Sequence, residues 1–170
     1  MEQDYKTSDE EVYQSTLRLL KERGVTTWDI AELVHFLQSK YFSKITIDIC
    51  EQHVKKVLMK REVQNAVITG IQLDKLAEKQ ALESPLLEML IHDESLYGID
   101  EIISLSIVNV YGSIGFTNYG YIDKMKPGIL AKLNEHENGQ VNTFLDDIVG
   151  AIAAAASSRI AHNWSKIEKE

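Results

Sequence analysis

Residues 99–111 read Ile-Asp-Glu-Ile-Ile-Ser-Leu-Ser-Ile-Val-Asn-Val-Tyr. Past the acidic pair Asp100-Glu101, the window Ile102–Ile122 contains no Asp, Glu, Lys, Arg or His. A helix over Ile99–Tyr111 is apolar on nearly every side, so the expectation is that it lies at the centre of a helical bundle. A transmembrane span would need about 20 apolar residues in succession. Here Ser104, Ser106, Asn109, Ser113, Thr117, Asn118 and three glycines interrupt the run. The segment therefore reads as a buried helix followed by a loop over Gly112–Gly120, where several positions can take positive φ.

Helical signals continue on both sides. Ser8 with Glu11 and Thr26 with Asp29 have the spacing of capping boxes, each ahead of an apolar stripe. The first stripe is Val12, Tyr13, Thr16, Leu17 and Leu20; the second is Ile30, Leu33, Val34 and Leu37. Further helices are expected over 47–60 and 61–82, the latter with Val63, Val67, Ile71 and Leu76 inward. Ser84-Pro85 reads as the start of a short helix ending near His92. Pro127 opens another, to about Leu133. The last is expected to open on a Thr143/Asp146 box and to run to about His162, through Ala151, Ala153, Ala154, Ala155, Ala156, Ser157 and Ser158. One short alternating run, Ile45–Ile49, cannot make a sheet. The fold class expected is all-α, a single helical domain over 1–170 with a central apolar helix surrounded by others.

The chain carries 170 residues with 44% apolar and 26% charged side chains, the balance of an ordinary globular protein. Its net charge of -8 argues against a grip on nucleic acid or on an anionic membrane by charge alone. No nucleic-acid partner is expected, although Lys55, Lys56, Lys60 and Arg61 form a local basic cluster. Cys50 is the single cysteine, which excludes an internal disulfide and suits a reducing cytoplasm. Met1–Glu11 has neither the basic start nor the apolar core of a signal peptide. The apolar content of 99–122 is more than a chain of this size easily covers, which favours a homo-oligomer.

Acidic residues concentrate at three places in the second half: Asp100-Glu101, Asp123 ahead of Lys124-Met125-Lys126-Pro127, and Asp146-Asp147. Hard divalent cations such as Mg²⁺ take oxygen ligands, and carboxylates from separate helices can supply them. Phosphoryl transfer needs charge neutralised on the phosphate and a positioned nucleophile, which acids beside lysines provide. The competing account is that acids in a first helical turn simply complement the helix dipole. His92 and His162 adjoin these places and are candidate proton donors. Arg159 is a candidate phosphate ligand, and Ser113, Thr117 and Asn118 are candidate hydrogen-bonding groups from a loop.

The same residues carry a resemblance. Asp93 precedes Asp100-Glu101 by seven residues. Asp123 is followed by Lys126-Pro127. Gly139 and then Asp146-Asp147 open an alanine-rich helix. In this order and with these gaps, the segment 91–162 resembles the phosphatidylglycerophosphatase A family. It looks closest to the branch without membrane spans found in Gram-positive bacteria, the low-temperature-requirement C-like proteins. Membrane-bound members have an Arg three residues before the second-signature Asp, where this chain has Gly120. The resemblance divides the chain into a helical part, 1–90, and a phosphatidylglycerophosphatase A-like part, 91–164.

The resemblance implies a Mg²⁺-dependent phosphomonoester hydrolase that converts phosphatidylglycerophosphate to phosphatidylglycerol. It implies a metal set of Asp100, Glu101, Asp123, Asp146 and Asp147, with Asp123, Lys126 and Asp147 in the chemistry. A cytoplasmic protein meeting a lipid phosphate ester at the inner face of the membrane follows from that reading. Two rivals stand beside it: a phosphatase of a soluble ester, and a non-catalytic helical interaction protein whose metal site is structural.

Overall fold

The computed structural model describes residues 6–169, so the acidic start over Met1–Tyr5 lies outside the described residues. Every regular element among the described residues is helical. In chain order these are α1 (Asp9–Glu22), α2 (Thr27–Gln38), α3 (Ile47–Leu58), α4 (Arg61–Glu78), α5 (Leu86–Ile91), α6 (Ile99–Val108), α7 (Ser113–Met125), α8 (Ile129–Asn134) and α9 (Leu145–Ile167). The all-α reading holds. No helix among the described residues is long and apolar enough to cross a membrane.

The N-terminal helices form where their caps and stripes place them. Ser8 accepts the amide of Glu11, and Thr26 with Asp29 makes the full reciprocal box. Val12, Thr16 and Leu20, and likewise Ile30, Leu33, Val34 and Leu37, are buried. On α4 the inward positions are Val63, Val67, Ile71, Asp74 and Ala77. This is a 3.6-residue period. It carries the inward stripe through an acid and leaves Leu76 36% exposed, so Leu76 is not a core residue.

The central helix is α9, not 99–111. Every residue from Leu145 to Ser158 is buried. The helix packs against α2, α3, α4, α6, α7 and α8. Alanine and serine permit this, because short side chains let several helix axes approach one rod closely. α4 answers with Gly70, where a Cβ would lie 2.3 Å from Ile148 Cδ1 and 3.0 Å from Phe144 Cβ. By contrast α6 flanks the rod: it buries Asp100, Ser104, Ile107 and Val108 and leaves Ile99 and Ile102 exposed. A high apolar content on α6 therefore marked an outer helix with an uncovered face.

The stretch 112–120 is also different from the expected loop. Gly112 takes φ 75°, and from Ser113 the chain is helical through Met125. Gly115 serves close packing instead of a turn, since a Cβ there would meet Val108 Cγ1 at 3.0 Å and Ser158 Oγ at 3.2 Å. The Thr117 hydroxyl is used within α7, donating to the Ser113 carbonyl.

Candidate metal centre

α9 begins without a cap of its own. No side chain of the preceding segment bonds its first amides, and the Thr143 hydroxyl instead donates to the Leu90 carbonyl at 2.7 Å. The expected Thr143/Asp146 box is therefore not the device used. The cap comes from α4: the Asp74 carboxyl accepts the amides of Phe144 at 3.1 Å and Leu145 at 3.0 Å. Burial drives the Asp74 pKa up to about 8, against the opposing pull of those two amides and of Arg23.

The strand of chain leading into α9 is clamped by Arg23 from the end of α1. Its Nη2 donates to Glu78 Oε1 at 2.6 Å, the Val141 carbonyl at 2.7 Å and Asn142 Oδ1 at 2.8 Å. Glu78 in turn accepts the Val141 amide at 2.8 Å, and Asn142 Nδ2 donates to the Leu133 carbonyl at 3.0 Å. These bonds fix where the Asp146-Asp147 pair emerges.

The three acidic places then meet. A pocket of about 170 Å³ is lined by Asp93, Asp100, Glu101, Asp123, Lys126, Asn134, Asp146 and Asp147. All five carboxylates expected from the sequence line it, as does Lys126. Lys124, His92 and His162 do not. Within it, donor oxygens of Asp100, Glu101 and Asp147 all lie within 4.8 Å of one another. Asp123 and Asp146 are held differently: Lys126 Nζ donates to Asp123 Oδ1 and to Asp146 Oδ2, each at 2.9 Å. Asp146 also accepts the Asp147 amide on its other oxygen.

Two lining residues, Asp93 and Lys126, hold left-handed backbone with φ of 47° and 42°. Such conformations cost free energy in non-glycine residues and persist where the surroundings impose them, often at functional sites. For Lys126 the imposition is visible: left-handed geometry ends α7 and turns its ammonium back between two carboxylates.

Six carboxylates against one ammonium give the pocket a strong negative field. Burial, then the charges of Asp146, Asp100 and Asp123, push the Asp147 pKa up to about 9. Burial and the neighbouring Glu101 push Asp100 up to about 7. Burial also raises Asp146, with Lys126 opposing. For Lys126 burial acts to lower the pKa, but Asp146 and Asp123 outweigh it and hold the ammonium well above the ordinary lysine value. Asp100 Oδ1 is buried and accepts no hydrogen bond among the described residues. An orphaned acceptor among all-oxygen donors suits a hard divalent cation such as Mg²⁺ or Mn²⁺.

A sequence profile of the family described as phosphatidylglycerophosphatase A matches residues 18–162. The chain belongs to the phosphatidylglycerophosphatase A family. The match reaches well into the N-terminal helices, beyond the 91–162 segment that carries the family's acidic signatures. Two similar proteins from Bacillus subtilis (strain 168) are both described as uncharacterized. YutG is 66% identical over 143 residues, 84% of this chain and 86% of its own length. YpjQ is 53% identical over 160 residues, 94% of this chain and 90% of its own length. Among solved structures, the low temperature requirement C protein from Listeria monocytogenes superposes with a TM-score of 0.90 at 64% identity, covering 93% of this chain and 99% of that one.

The raised carboxyls of this pocket have a measurable consequence. The folded metal-free protein keeps protons that the unfolded chain has released, so its stability falls as pH rises between the ordinary carboxylate value of 3.8 and about 9. A divalent cation bound by these carboxylates would replace those protons. The expected result is a Mg²⁺-induced rise in Tm that is larger at about pH 8.5 than at about pH 6. Calorimetry in chelator and in Mg²⁺ checks this, and a Mg²⁺ effect independent of pH would contradict it.

Proposed function

We propose that the protein is a Mg²⁺-dependent phosphomonoester hydrolase acting on phosphatidylglycerophosphate. The observation that carries this reading is the convergence of Asp100, Glu101 and Asp147 oxygens within 4.8 Å beside a lysine held by two further acids. In it, Asp100, Glu101 and Asp147 hold the cation, and Asp123 and Asp146 orient Lys126. A bound Mg²⁺ would screen the negative charge of the phosphate oxygens and polarise phosphorus toward attack.

The chain's own groups do the rest. An ammonium has three N–H donors. Two of those of Lys126 go to Asp123 and Asp146, which leaves the third for a phosphate oxygen. Asp123 is partly exposed, its side chain 43% accessible, so it can meet solvent. Water attacking phosphorus forms one P–O bond as the ester P–O bond breaks. Its proton passes to an Asp123 oxygen, and the departing glycerol oxygen takes a proton from solvent. Tyr119, buried on α7, keeps its phenol proton because burial and the charges of Asp147 and Asp123 hold its pKa above the usual range.

Phosphate release from phosphatidylglycerophosphate in mixed micelles tests the reading, with Mg²⁺ and with chelator, beside glycerol phosphate as a soluble ester. Release that needs Mg²⁺ and prefers the lipid is expected. Release from the soluble ester alone would keep the reaction and discard the lipid. No release from either, with folded protein, would sink the hydrolase and favour a structural cation site.

A further inference from the structure

α9 carries charge of opposite sign at its two ends. Between α3 and the C-terminal part of α9 lies a second polar pocket, of about 360 Å³, lined in part by His53, Lys56, Arg159, Asn163 and Lys166. No carboxylate among the described residues lines it. Lys56, Arg159 and Lys166 make no ion pair among the described residues. Arg159 sits about 18 Å along the helix from Asp147 at ~1.5 Å per residue.

Lys166 by itself needs no ligand, since a cation in the last turn complements the helix dipole. Two deeper atoms are not accounted for that way. Arg159 Nε and His53 Nδ1 are both buried and have no hydrogen-bond partner among the described residues. His53 is only 6% exposed, so bulk water does not serve it. Burial, then the charges of Arg159 and Lys56, lower the imidazole pKa to about 4. The ring is therefore neutral near pH 7 and adds no repulsion to the cations around it. Two unpaired buried nitrogens on the walls of a pocket that also holds Lys56 and Lys166 are an arrangement that a multivalent oxyanion satisfies.

We propose that this pocket binds a phosphate group, at a site separate from the carboxylate pocket. Arg159 supplies a directional guanidinium, Lys56 and Lys166 supply charge from the two walls, and His53 donates an imidazole N–H. The group is either free phosphate or the headgroup of an anionic phospholipid, and the chemistry of recognition is the same for both. The inference does not rest on the hydrolase reading, because it uses none of the carboxylate residues.

The test titrates inorganic phosphate into the full chain in chelator, at ionic strength balanced with chloride, following the Arg159 Nε–H and His53 ring signals by NMR. A saturable shift of both is expected. Lys56→Gln and Lys166→Gln, at exposed side chains whose loss leaves the core intact, should each weaken binding about tenfold. Arg159→Gln should abolish it. A second arm measures co-sedimentation with phosphatidylcholine vesicles with and without phosphatidylglycerol. Pelleting that needs phosphatidylglycerol and Lys56 assigns the site to a lipid headgroup. A saturable phosphate shift without pelleting assigns it to soluble phosphate. Neither a saturable shift nor Lys56-dependent pelleting would overturn the proposal, as would equal phosphate affinity in the wild type and both lysine variants.

Discussion

Asp147→Asn should cut Mg²⁺-dependent phosphate release by about 10³-fold, which corresponds to ~4 kcal/mol of transition-state stabilisation. The amide keeps the size of the side chain but replaces an anionic carboxylate by a neutral group with a single, weaker carbonyl oxygen ligand. Asp147 is one of three residues whose oxygens converge within 4.8 Å, so its loss leaves two. The variant also has a stability signature of opposite sign. Asp147 is a buried carboxyl among Asp146, Asp100 and Asp123, and its ionisation is resisted by all three. A neutral amide removes the cost of taking up a proton on folding, so the metal-free variant should melt no lower than the metal-free wild type at about pH 8. Mg²⁺ should then add little to its Tm. Kinetics and calorimetry on one preparation separate the two effects. Wild-type turnover in this variant would remove Asp147 from the chemistry, and a lower metal-free Tm would mean that its carboxylate is held for structure.

Arg23→Ala should destabilise the fold by about 3–5 kcal/mol, the range for deleting one partner of a buried ion pair. Arg23 is 8% exposed and ties α1 to Glu78 on α4 and to Val141 and Asn142 ahead of α9. Deleting it leaves three acceptors without their donor. A fall in Tm of about 10 °C is expected for a chain of this length. Because the clamp sets where Asp146 and Asp147 emerge, Mg²⁺ affinity should fall as well. Urea unfolding measures the first and Mg²⁺ titration the second. A loss below about 1 kcal/mol would mean that the Asp74 cap alone positions the start of α9.

Much of the local structure was legible because its determinants are local. Ser8 and Thr26 cap helices within a turn of themselves, and the α1 to α3 stripes follow a fixed period. The acidic signatures were legible for a different reason: their order and gaps resemble a family that the profile match then extends over 18–162. Two readings failed where hydropathy and spacing were asked to stand for packing. The apolar α6 proved to be an outer helix, because its surplus apolar residues are left uncovered. The alanine-rich α9 takes the central place instead, because small side chains let six helices close around it. The glycines of 112–120 looked like turn residues, and one of them instead lets α7 approach α6 and α9.

What the sequence by itself determined is the helical class, most helix positions and the acidic residues that line one pocket. Each of these depends on neighbours within a few positions or on a pattern of spacings. Only the tertiary structure decided that Asp100, Glu101 and Asp147 are the three that converge, while Asp123 and Asp146 turn to Lys126. It also decided that Asp74 and Arg23 place α9, across 70 and 119 residues of chain. No sequence pattern reports those contacts, because hydrogen-bond geometry and burial are set by how separate helices pack, and that packing decides which carboxylates meet a lysine and which face one another.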